Sequence, residues 1–383
     1  MRFIAKLTIV LAIVVFTSLF IYGSTFWPQS EYFKGYEGLA TQIMLEVAKI
    51  RGLKPSENFQ VKIVTSSWVK EHFVPPKVEE PLRWKVFKAI AFIPSWASFE
   101  EFSRKWAGKI LAAAAGETLY IVEDMIEGAD ERLVKRTIAH ESVHVLQYTN
   151  FQISYSNLQD SELAIKALVE GDADFTADFF LEQKGFKPFE EEGLKLQKMD
   201  YETALIVLQM FPYLYGEKFV SELWERGGWE SINRAYENPP TSTEQVIHPE
   251  KYVRKEGFER PKPLVGEEWE YEGDDMLGEF FIRVYLARWL GEGIAKAASE
   301  GWEGDGAYYY VRGDDFLLVW AIKWEGVKDA REFYDAMLKL LTEAGASKLN
   351  DEWTLGGLFI KPSILKDKVM VISSSDGEAL KQY

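Results

Sequence analysis

Cysteine is absent from all 383 residues. Disulfides and cysteine-bound metal are therefore excluded, and any metal must sit on histidine and carboxylate. That absence leaves the compartment open. Positive charge is short: 44 Lys and Arg stand against 60 Asp and Glu, for a net charge of −16. Such a surface does not suit a phosphate backbone, so no nucleic-acid partner is expected. Repeats and low-complexity tracts are missing, and histidine is scarce, with four in the chain. Apolar residues are not scarce. A chain that is 47% hydrophobic and 15% aromatic can bury a large core, and its length has room for two compact domains.

Two of the four histidines fall in His140-Glu141-Ser142-Val143-His144, inside a helical pattern over residues 131–148. Histidines four apart on a helix project from one face, one turn apart, which is the spacing needed to grip one zinc ion. The glutamate between them can reach a water on that metal and act as general base. The rival is a helix with two satisfied histidines; chance produces the pattern in about one chain of this length in a hundred.

A second helical pattern, residues 161–184, carries Glu170-Gly171-Asp172-Ala173-Asp174, with Asp160 as its expected N-cap. Glu170 and Asp174 are again four apart. Two carboxylates in an apolar helix are costly unless each has a partner, and a metal for Glu170 and an imidazole N–H for Asp174 would supply them. Gly171 costs a helix about 1 kcal/mol relative to Ala, which close approach of the two site helices would justify. The alternative is a solvated acidic face of Glu170, Asp174 and Asp178.

H-E-x-x-H followed by a helix with E-x-x-x-D resembles the gluzincins, the thermolysin-like zinc peptidases. The resemblance implies Zn2+ on His140, His144 and Glu170, Glu141 as base, and Asp174 orienting one histidine. It also implies a downstream histidine or tyrosine that steadies the oxyanion, for which the chain offers His248. Tyr213, Tyr215 and Tyr236 are weaker candidates, since tyrosines are common in half-buried packing. His248 also fits the end of a short helix capped by Thr241 or Ser242, with Thr241 and Glu244 spaced as a capping box. The two roles of His248 are compatible. Residues 140–147, 167–173, 211–216, 227–229, 242–252 and 301–305 are further similar to a family of uncharacterised bacterial and archaeal membrane-anchored metallopeptidases, a likeness that covers much of the chain from about residue 110.

At the N-terminus Arg2 and Lys6 precede an apolar run over residues 7–22. As a helix it spans about 24 Å, or about 31 Å if extended to Trp27, enough for a bilayer core. Tyr22-Gly23-Ser24 is a poor cleavage site. The reading is an uncleaved single-pass anchor in the cell membrane with the remaining chain extracytoplasmic; secretion after signal cleavage is the alternative.

The expected fold class is α+β. Residues 1–27 form the anchor or signal, 28–262 a mostly helical zincin-like peptidase domain with a small strand layer, and 263–383 a β-β-α-β-β antiparallel domain. Helices are expected over 36–50, 99–115, 202–210, 217–225, 229–236 and 276–298, with strands over 59–64 and 117–122. Resemblance places the 117–122 strand over the cleft, paired with an extended substrate. Residues 258–273 read as a linker. His72 reads as a surface or packing histidine, and Asp305, Asp314 and Asp315 as turn residues rather than a calcium site. The expected function is hydrolysis of peptide or protein substrates by a zinc-activated water. The alternatives are a silent scaffold that binds a peptide or protein with zinc structural, and a metal hydrolase acting on a non-peptide bond. Zinc held by four protein ligands would favour the scaffold; three ligands and an open position would favour the enzyme.

Overall fold

A computed structural model describes residues 34–73, 79–106, 111–187 and 196–382. The expected membrane anchor lies outside the described residues. Among those described, no helix is long and apolar enough to cross a membrane.

In chain order the elements are α1 (Lys34–Arg51), β1 (Gln60–Val64), α2 (Ser66–His72), α3 (Leu82–Ala89), α4 (Phe99–Trp106), β2 (Ala112–Ala115), β3 (Thr118–Val122), α5 (Glu123–Ile126), α6 (Glu131–Asn150) and α7 (Gln159–Gln183). There follow α8 (Tyr201–Gln209), α9 (Phe211–Glu237), α10 (Thr243–Ile247), α11 (Pro249–Arg254), β4 (Glu270–Asp275), α12 (Gly278–Leu290) and α13 (Glu292–Ala297). The chain ends with β5 (Trp302–Arg312), β6 (Asp315–Trp324), α14 (Val327–Glu343), β7 (Ser347–Leu349), β8 (Glu352–Leu355), β9 (Leu358–Leu365), β10 (Lys368–Ser374) and a 3₁₀ turn. The fold is mixed α+β.

A three-stranded sheet has the order β1-β3-β2, with β1 parallel and β2 antiparallel to β3. The strand expected at 117–122 is therefore the middle strand, and β1 and β2 are the edges. Residues 99–115 do not form one helix: the helix ends at Trp106, and Ala112–Ala115 are extended. Alanine is the best helix former, but pairing with β3 overrides that preference. The second sheet is antiparallel throughout, in the order β4-β5-β6-β10-β9-β8-β7. It contains the expected strand–strand–helix–strand–strand run, with the β7–β8 hairpin added. Its edge strand β4 begins in the last four residues of the stretch read as linker; Glu270-Tyr271-Glu272-Gly273-Asp274-Asp275 lacks strand composition and gains its order from β5. Alternation along β6 sends Leu318, Trp320 and Ile322 to one face and Leu317 and Val319 to the other.

Two apolar cores meet along α7. Leu163, Ala164, Ala167, Leu168 and Val169 belong to a large core that also takes Phe280, Phe281, Tyr285, Trp320 and Phe333. Ala173, Ala177, Phe180 and Leu181 belong to a smaller core with α1, α6 and the three-stranded sheet. Glu170 and Asp172 lie where the two join. α6 starts at Asp130, whose carboxylate accepts from the N–H groups of Arg132 and Leu133. The expected N-cap of α7 is not one: Asp160 is inside the helix, buried, and accepts from the Thr243 hydroxyl and N–H. The expected helix over 276–298 breaks at Gly291, whose φ of 80° stops α12. Residues 211–216, expected as loop, open α9, which bends at Gly227 and Gly228.

Candidate metal centre

α6 and α7 pack side by side and bring the sequence-predicted ligands together. His140 Nε2 and His144 Nε2 are 3.1 Å apart. Each lies 3.3 Å from Glu170 Oε2. His140 and Glu170 are each 1% exposed. Four donors placed tetrahedrally at the usual zinc distances of about 2.0–2.2 Å stand about 3.3 Å from one another. The triangle therefore has the size of one face of such a site, and among the described residues it is the only group of histidines and carboxylates that could hold a metal ion.

The Nδ1 atoms are turned outward. His140 Nδ1 is 3.0 Å from Asp174 Oδ1, and Asp174 is held by Arg136, which also binds Asp178. His144 Nδ1 is 2.7 Å from Gln147 Oε1. Both Glu170 oxygens are buried without a hydrogen-bond partner. A buried, unpaired carboxylate facing two ring nitrogens is costly unless positive charge fills the space. In the metal-free chain protons must do this. Burial opposes charge on His140, but Asp174 and Glu170 raise its pKa to about 10, and Glu170 raises His144 in the same sense. Burial would raise Glu170, yet the facing imidazoles lower it to about 2. A dication between the three atoms would replace those protons. The donor set of two imidazoles and one carboxylate, with no sulfur, fits zinc.

Glu141 is 3% exposed, and burial raises its pKa. The two histidines and the backbone N–H of Ala114 on β2 pull it down, and Glu170 pushes it up. The sum raises this carboxylate above its ordinary value.

The remaining candidates separate. Tyr213, on the first turn of α9, is buried beside the site; burial first, then the carboxylates of Glu170, Asp174 and Glu141, push its pKa well up. Tyr215 faces Arg283 instead, and Tyr236 donates to Asp172. The structure does not bring His248 to the triad. It ends α10, whose cap is Ser242 rather than Thr241, and its Nε2 lies 3.2 Å from the buried Glu279. That carboxylate claims it, together with the turn imposed by Pro249. The close approach at Gly171 is also not between the site helices: a Cβ there would lie 2.2 Å from backbone atoms of Gly216 on α9. That contact sets Tyr213 against Glu170. The sequence reading missed Tyr155, in the loop between α6 and α7. It is 39% exposed, makes no hydrogen bond among the described residues, and is raised in pKa by burial and by the Glu170 and Glu162 carboxylates. Its only sequence signal is a polar-tipped ring in a loop between two ligand helices.

Fold and site together define a mixed α+β protein with a buried histidine–histidine–carboxylate cluster of a size that could hold a metal ion. Residues 267–376 match a family described as a domain of unknown function, DUF8575. That stretch is the whole second sheet with α12, α13 and α14, and it contains none of the site residues. No curated protein and no solved structure matches the chain.

Proposed function

We propose that the chain is a zinc-dependent peptidase of gluzincin type, with Zn2+ held by His140, His144 and Glu170. The observation that carries this reading is the buried triangle of ligand atoms with Glu141 beside it. Zinc in such a site supplies Lewis-acid activation of a water and of a carbonyl oxygen. Glu141 takes the proton of the attacking water and later delivers it to the leaving amine. Ala114 N–H and the surrounding burial hold the Glu141 carboxylate in place for both transfers. Tyr155, in the loop between the two ligand helices and within range of the Glu170 charge, takes the oxyanion-donor role first assigned to His248. β2 supplies the substrate's track. Antiparallel pairing uses alternate residues, so with Ala114 N–H turned to Glu141, the outward carbonyls of Ala112 and Ala114 remain for an extended peptide.

The apolar run at residues 7–22 carries the rest of the proposal, an anchored extracytoplasmic enzyme acting on peptide or protein substrates. The test is cleavage of an unfolded protein by the zinc-loaded chain beside Glu141→Gln. Cleavage by wild type alone is the expected result. Zinc binding by both without cleavage by either overturns the peptidase reading and turns the site into a metal clip on a binding scaffold.

A further inference from the structure

His140 is oriented directly by a carboxylate, whereas His144 is oriented by a neutral amide, and what fixes that amide lies far away in sequence. Gln147 is 1% exposed. Its Nε2 donates to the Val169 carbonyl at 2.8 Å and to the Tyr236 hydroxyl at 2.8 Å, with Asp172 Oδ2 at 3.4 Å. An amide has one donor end and one acceptor end. The Val169 carbonyl and Asp172 can only accept. Tyr236 spends its own proton on Asp172 Oδ2 at 2.9 Å, so toward Gln147 it too can only accept. The NH2 end is thereby committed, Oε1 must face His144, and the atom that donates to Oε1 is His144 Nδ1.

Asp172 is itself fully buried and pinned by Arg51, the last residue of α1, through Nε at 2.8 Å and Nη2 at 3.1 Å. Arg51 is 1% exposed, binds Asn233 Oδ1 at 3.0 Å and lies over the Trp229 ring. The Tyr236 ring is stacked on Phe151 at 4.0 Å.

We propose that Arg51, Asp172, Tyr236 and Gln147 form a positioning chain that keeps the proton of His144 on Nδ1 and so presents Nε2 to the metal. The proposal rests on the metal reading of the site, and it makes α1, which supplies no ligand, a part of the metal centre. Residues that orient metal-binding histidines typically change metal affinity by about 10–100-fold when removed. Gln147→Leu on the full chain is expected to weaken zinc binding by about 100-fold, measured by competition with a chelator. Tyr236→Phe, which keeps the ring stack, is expected to weaken it by about 10-fold. Circular dichroism melting shows that each variant is folded. Arg51→Ala leaves Asp172 buried and unpaired and is unsuited to the test; Arg51→Lys keeps the charge but not the paired contacts, and falls between wild type and Gln147→Leu.

A second readout does not need the metal. With four histidines, ¹⁵N-histidine labelling resolves the His144 ring in the metal-free chain. At alkaline pH, where the ring holds a single proton, Nδ1 is expected to carry it in wild type and to lose that preference in Gln147→Leu. Wild-type zinc affinity in both folded variants overturns the proposal, as does a bare Nδ1 in the wild type. If the wild-type chain takes up no zinc, the peptidase reading falls, and the ring-nitrogen measurement alone decides the positioning chain.

Discussion

Gly171→Ala tests whether the contact between α7 and α9 sets the site. In an exposed helix interior this substitution stabilises by about 1 kcal/mol. Here the new Cβ would lie 2.2 Å from the carbonyl carbon and oxygen of Gly216 and 2.8 Å from its Cα. Ordinary contact begins near 3.4 Å, so the two helices would have to part by about 1 Å. The obstructing atoms are backbone and cannot rotate away, which puts the cost at the upper end of the overpacking range, about 3 kcal/mol. Offset by the helix gain, a net loss of about 2 kcal/mol is expected. The displacement has a second consequence. Tyr213 stands three residues before Gly216 and faces Glu170, while metal sites tolerate errors of about 0.5 Å. The assay is urea unfolding, with zinc affinity measured on the folded fraction. A denaturant midpoint equal to or above wild type, with unchanged zinc affinity, would refute the reasoning.

Other perturbations probe separate parts of the site. Glu141→Gln is expected to keep zinc and lose about 10²–10⁴-fold in peptide cleavage rate, and retained activity would sink the mechanism. Glu170→Ala is expected to abolish stoichiometric zinc uptake, read by metal analysis after gel filtration; a variant that still holds one zinc would place the metal elsewhere. Ala114→Pro removes the edge N–H that faces Glu141, at an outward position where an edge strand tolerates proline, so zinc binding should persist while kcat falls. Glu244 gives the pH prediction. Burial, then the charges of Glu279 and Glu325, against the pull of Lys251, raise its pKa from 4.5 to about 7. A carboxyl raised in the folded state contributes stability that is present below pH 4.5 and is lost as pH rises through 7. Wild type should therefore lose stability over that window relative to Glu244→Gln in chemical denaturation, and a constant difference between the two would contradict it.

The site was legible where its chemistry is local. His140, Glu141 and His144 share one helix, and Glu170 and Asp174 another, so spacing alone placed each group on one face. The cost of an acidic pair in an apolar helix then predicted the imidazole that Asp174 faces. Sequence reasoning lost its grip where long-range pairing overrides local preference. Ala112–Ala115 read as helix until β3 claims it, and charged β4 read as linker until β5 does. Gly171 signalled a close approach without naming the approaching chain, because a glycine records missing volume and nothing about its neighbour. His248 failed for a related reason. A lone histidine after a short helix carries no address, and the buried Glu279, 31 residues on, decides where it goes. Arg51 is the extreme case. It lies 121 residues from Asp172 and has no motif, yet it anchors the chain of hydrogen bonds that ends on the His144 ring. A ligand pattern can be read from one helix, but the rigidity that a metal site needs comes from residues whose only common property is where the fold puts them.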